Sequence, residues 1–139
     1  MTNDATHTIF YIAQATDSLI EAPALVDPLP FSARYDLNRK TGAFSRQSHP
    51  LFGKKINGYI LVSPGVQGGV AAGWALPAMA NLGVGFSGLI FGEINPVMVQ
   101  GAVAAGIPIA SGVDSKIFDS IKTGDILQLD GARRTIKVL

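Results

Sequence analysis

Between Lys55 and Asp114 the chain carries one charged residue, Glu93. So long an uncharged stretch must either cross a membrane or be buried in protein. By length alone, residues 56–92 and 94–113 would each span a bilayer. The stretch also holds 12 of the 16 glycines and the prolines Pro64, Pro77, Pro96 and Pro108, which cut it into short pieces of alternating strand-like and helix-like composition. Buried parallel strands covered by helices account for this pattern better than a membrane span does.

The pieces fall into a regular order. Residues 59–63 (YILVS) read as a fully buried strand, 64–69 as a turn, and 70–82 as a helix capped by Gly83. Pro77 should kink that helix or delay its start, because an interior proline removes a hydrogen bond and costs ~3 kcal/mol. Residues 86–91 (FSGLIF) form a second strand. Asn95 and Pro96 supply an N-cap and a first-turn proline for a helix over 97–105, which Gly106 ends. Residues 107–110 complete a βαβαβ unit of parallel strands, so the fold class is α/β. Before it, 8–13 and 19–26 read as strands. After it, 115–122 reads as an amphipathic helix, and 126–130 with 133–139 as a hairpin turning at Asp130 and Gly131. At 139 residues this suits one domain spanning 1–139.

Residues 27–53 are different. Prolines and Gly42 break them up, and Arg34, Arg39, Lys40, Arg46, Lys54 and Lys55 lie between 34 and 55 against the single acid Asp36. The plain expectation is a solvated loop, although its excess positive charge also suits an anionic ligand or an acidic partner. The net charge of the whole chain is only +1, which gives no electrostatic basis for nucleic-acid binding. The N-terminus has neither a basic segment nor a long apolar run, so the expected location is the cytoplasm, with no membrane association.

Chemistry is expected where parallel strands end and loops lead into helices. That points to residues 64–73 (PGVQGGVAAG), whose glycines let backbone amides approach a small anionic substrate and whose helix N-terminus favours negative charge. Neither nucleotide-binding spacing is met: G-x-G-x-x-G is absent, and Trp74 stands where a P-loop needs lysine. Glu93 precedes the Asn95 cap by two residues, where it could complement the helix dipole or serve as an active-site carboxylate. His7 and His49 have no metal-ligand spacing, and with no cysteine the chain offers no thiolate.

Four segments, DLNRKTG, HPLFGKKINGYILVSPG, LIFGEINPVMVQGAVAAGIPI and IKTGD, resemble the swivelling domain, or small subunit, of the aconitase X family. That family includes cis-3-hydroxy-L-proline dehydratases and phosphomevalonate dehydratases. H-P-L-x-G at 49–53, the strand at 58–64 and GAVAAGIP at 101–108 carry the resemblance together. It implies a swivelling β/β/α fold with a partly closed, barrel-like sheet. It also implies a heteromeric hydro-lyase whose larger, cysteine-bearing subunit holds an iron or iron–sulfur centre, this chain holding no cofactor. The main expectation is dehydration of a small hydroxy acid resembling cis-3-hydroxy-L-proline. The alternatives are a phosphomevalonate dehydratase subunit and a non-catalytic anion-binding or scaffold module. Substrate contacts are expected from Ser63, Gly65, Gln67, Gly68 and Gly69, with Arg34 or Lys54 adding charge. Two departures stand out: Gly69 occupies the position of the family's active-site serine, and Arg34 replaces a usual glycine.

Overall fold

The computed structural model describes residues 8–67 and 70–139, with only the backbone of Arg34 and of residues 70–73. His7, Gly68, Gly69 and the Arg34 side chain thus lie outside what is described. The chain runs through β1 (Thr8–Tyr11), β2 (Gln14–Ala15), β3 (Leu19–Val26), α1 (Ala33–Asp36), β4 (Leu37–Asn38) and β5 (Ala43–Phe44). It continues through β6 (Ile60–Ser63), α2 (Val70–Asn81), β7 (Gly88–Phe91), α3 (Pro96–Ala105), β8 (Ile109–Ser111), α4 (Ile117–Ser120), β9 (Ile126–Asp130) and β10 (Thr135–Val138).

The predicted parallel unit is present, with β6, β7 and β8 side by side in register. It is extended by β3, parallel to β6 on one edge and antiparallel to β9 on the other. Strand β10 pairs with β9, and β1 with β10. The chain then crosses to the opposite edge: Ile12 N–H donates to the Arg134 carbonyl, Ala13 N–H to that of Ser111, and β2 pairs with β8. One N-terminal segment therefore pairs with both edges and closes the sheet into a barrel, leaving neither edge open. Close packing at this seam requires Gly131, where a Cβ would run into the Thr16 carbonyl.

Alternation along the central strands feeds two cores. Leu61, Leu89 and Phe91 face α2 and α3 and pack with Leu76, Met79, Met98 and Ala102. Ile60, Val62 and Ile90 point the other way, into the barrel, with Ile117, Leu127, Leu129 and Ile136. Because β6 and β7 are buried along their whole length, their sequences read as continuous apolar runs.

Several expectations need correction. Helix α2 begins at Val70 and runs through Pro77 with no delayed start. Burial of Ala75, Leu76 and Met79 holds it despite the lost hydrogen bond. The proposed helix over 115–122 is a single turn, since the Asp114 carboxylate takes the Lys116 N–H, and the Asp125 carboxylate takes the Lys122 N–H. The final hairpin turns through residues 131–134 rather than in two residues, with Arg134 in the left-handed region and Asp130 accepting from Arg133 N–H. The largest correction concerns residues 27–53, which are no solvated loop. Phe31, Ala33, Leu37 and Phe44 are buried in the helix-side core, together with Asp27, Asp36 and His49. Among the described residues no helix is long and apolar enough to cross a membrane.

Candidate functional site

The loops after β6 and β7 lie side by side at the carboxyl ends of the parallel strands. Gly92 N–H donates to the Ser63 carbonyl and Glu93 N–H to that of Pro64, both at 3.1 Å. A Cβ on Gly92 would stand 2.7 Å from the Pro64 oxygen, so this approach needs glycine. A third segment lies alongside: Phe31 N–H donates to the Gly65 carbonyl and Gln67 N–H to the Phe31 carbonyl, at 2.9 and 2.7 Å. Between them opens a cleft of about 310 Å³ lined by Pro30, residues 64–67 and residues 93–95.

The structure brings Gly65, Gln67 and Glu93 together in this cleft. The cap of α3 is made by the Asn95 side chain, which accepts from Met98 N–H, and the Glu93 side chain is solvent-exposed on the cleft. Glu93 is the one titratable group among the cleft's described lining residues. Ser63 is placed differently from its expected role. It is fully buried, and its one hydroxyl proton is shared between the Leu29 carbonyl at 2.8 Å and the Gly65 carbonyl at 3.1 Å. Its hydroxyl supports the loop, and Ser63 is not among the residues that line the cleft.

Three of the six basic residues between 34 and 55 are engaged elsewhere. The Lys54 ammonium lies 5.1 Å from the centre of the Tyr59 ring, outside the cleft lining, and Arg39 lies 5.1 Å over Trp74. Arg46 donates from Nε to Asp36 Oδ1 at 2.9 Å, with Nη2 equally close to the same oxygen.

Behind the cleft lies a buried polar cluster. Asp36 Oδ2 accepts from Ser32 N–H, and Asp27 Oδ1 accepts from Leu29 N–H. His49, stacked on Phe44, places Nε2 3.3 Å from Asp27 Oδ1 and 3.9 Å from Asp36 Oδ2. Burial pushes the Asp27 carboxyl above its ordinary range, against the lowering effect of the Leu29 amide and His49. Residue spacing alone gives His49 no partner. Its cue was the H-P-L run, in which the Leu51 amide turns back onto His49 Nδ1 at 3.0 Å.

Asp27, Asp36 and His49 each offer an atom within 4.8 Å of the others, as metal ligands would. The donor set does not suit a cation. With Nδ1 accepting from Leu51, the neutral imidazole carries its proton on Nε2, the atom facing the carboxylates, whereas a ligating histidine donates from its other nitrogen. With no cysteine in the chain, it also lacks the usual ligands of an iron–sulfur cluster.

A closed mixed sheet carrying helices on one side, with a cleft at its parallel-strand ends, defines a swivel-type α/β domain. Residues 10–138 match the family model for the aconitase X swivel domain, and the chain belongs to that family. The small subunit of phosphomevalonate dehydratase from Methanopyrus kandleri is 32% identical over 110 residues, covering 79% of this chain and 82% of that protein. The corresponding subunit from Methanocella arvoryzae is 28% identical, over 84% of this chain and 88% of that protein. The crystal structure of aconitase X from Thermococcus kodakaraensis superposes with a TM-score of 0.87 at 23% identity, covering 95% of this chain and 98% of that one, which shows the shared fold. Similarity over most of the chain supports a small subunit of an aconitase X-type dehydratase.

Proposed function

We propose that this chain works in a dehydratase acting on a phosphorylated hydroxy acid of the phosphomevalonate type. The observation that carries this reading is its 32% identity to a phosphomevalonate dehydratase small subunit. The same name recurs among the other similar proteins and favours this substrate class over the cis-3-hydroxy-L-proline type expected first. Elimination of water breaks a C–H and a C–O bond and forms a carbon–carbon double bond. It needs a base for the proton and an acid for the departing hydroxyl. The larger subunit would hold the iron or iron–sulfur centre, which when bound supplies Lewis acidity toward that hydroxyl.

This chain contributes the cleft. Backbone amides of the glycine-rich loop bind the anionic substrate, and Glu93 accepts the proton where the family's serine hydroxyl is replaced by Gly69. The test is a substrate panel on the complex with its native larger subunit. Turnover of 5-phosphomevalonate at least tenfold above that of cis-3-hydroxy-L-proline is expected. The reverse order would return the reading to the hydroxyproline class, and no turnover of either would leave a binding module.

A further inference from the structure

Between Asp27 and Phe31 the chain reads Asp-Pro-Leu-Pro-Phe, so Leu29 has the single backbone N–H in the interval. That N–H is spent on Asp27 Oδ1 at 2.9 Å. The Leu29 carbonyl accepts from Ser63, whose one hydroxyl proton is shared with the Gly65 carbonyl, and Phe31 bonds both Gly65 and Gln67. The prolines fix φ on either side of Leu29, so this strap has little freedom once Leu29 is tied. A continuous path of hydrogen bonds thus runs from the buried Asp27 carboxyl to the wall of the cleft.

Among the described residues, the charges in the cluster do not balance if every carboxyl is ionised. Arg46 compensates Asp36. His49 is fully buried, and an imidazolium there would set a second N–H against that of Leu51. Among the described residues, Asp27 Oδ2 is buried with no hydrogen-bond partner, and His49 Nε2 has no aligned one. An ionised Asp27 would leave a buried charge that no described residue compensates, which the neutral acid avoids.

We propose that Asp27 is a positioning residue for the cleft, held as a neutral carboxyl against the neutral Nε2–H tautomer of His49, and that it sets the strap on which residues 64–67 hang. The role rests on the reading of the cleft as the substrate site, but the protonation states do not. The upward push that burial gives Asp27 agrees with the geometry. Among the described residues, the charged and titratable groups facing it are His49 and Asp36, the latter paired with Arg46.

Asp27→Asn and Asp27→Ala in the full chain separate the possibilities. Asparagine keeps the shape and the acceptor for Leu29, so it should unfold no more than about 3 °C below the parent, whereas alanine should lose on the order of 10 °C. The folded-state affinity of Asp27 for its proton is raised above the unfolded value of 3.8, so the folded state keeps the proton longer. Relative to Asp27→Asn, the parent should therefore lose stability as pH rises from about 3.8 through the folded value. A parent that gains on Asp27→Asn over that range, or an imidazolium signature for His49 in nitrogen NMR, would overturn the neutral pair. So would one zinc per chain surviving dialysis. In the reconstituted complex, Asp27→Asn should keep the parental KM and Asp27→Ala should raise it at least tenfold. Equal KM values for the two variants, with the pH and NMR results as expected, would remove the positioning role alone. A complex inactive with the parent chain would instead count against the cleft reading, while the tautomer and pH results stand apart from it. If alanine prevents folding, the asparagine and NMR measurements still decide.

Discussion

Gly92→Ala puts a methyl group against the seam that forms the cleft. The new Cβ would stand 2.7 Å from the Pro64 carbonyl oxygen, a backbone atom that no rotamer change can remove. Restoring ordinary contact at about 3.4 Å means moving one loop by roughly 0.7 Å, comparable to the displacements that cost catalytic sites one to two orders of magnitude. That movement strains the hydrogen bonds Gly92 N–H to Ser63 and Glu93 N–H to Pro64. Overpacking of this kind costs ~1–3 kcal/mol, or a fall in Tm of about 4–10 °C for a chain of this size. Thermal unfolding by circular dichroism gives the stability, and turnover of the reconstituted complex gives the functional cost, expected at 10- to 100-fold. Gly65→Ala is the control within the same cleft, because its Cβ would meet nothing within 4 Å and its φ is not positive. It should leave Tm unchanged. Parental turnover with Gly92→Ala would refute the claim that this seam shapes the site.

Two further substitutions examine the proton. Glu93→Gln, at an exposed position, should leave Tm within about 2 °C and lower kcat of the complex by 10²- to 10⁴-fold, with KM little changed. An unaltered kcat would exclude Glu93 as the proton acceptor. Gly69→Ser in the Glu93→Gln background should restore turnover at least tenfold by returning a hydroxyl to the family's serine position. Failure of that rescue would mean that residues 69 and 93 do not serve the same proton.

The parallel unit was legible because burial on both faces leaves a plain mark: uncharged strands at 60–63 and 88–91, separated by glycine, proline and a helix and followed by a capped helix at 96–105. The cleft was legible for the same reason, since it follows from where those strands end. Residues 27–56 hid their structure. Their core members Phe31, Leu37, Phe44 and Ile56 follow neither a strand nor a helix period, and their basic side chains read as solvated. Three of those cations are in fact held by Asp36, Trp74 and Tyr59. The Asp27, Asp36 and His49 cluster is assembled by turns, and the cue nearest to it was the H-P-L run at 49–51, which marks a local turn and not its buried acidic partners. Barrel closure left still less trace, since β2 is only two residues long and its pairing depends on where the opposite edge lies.

The central claim is that this chain contributes one half of a dehydratase. Its most direct test is turnover of 5-phosphomevalonate under anaerobic conditions by this chain alone, by the native larger subunit alone, and by the two mixed in equal amounts. The account predicts activity only in the mixture, with iron bound to the larger subunit and none to this chain. Activity or stoichiometric iron in this chain alone, or full activity of the larger subunit without it, would contradict the claim.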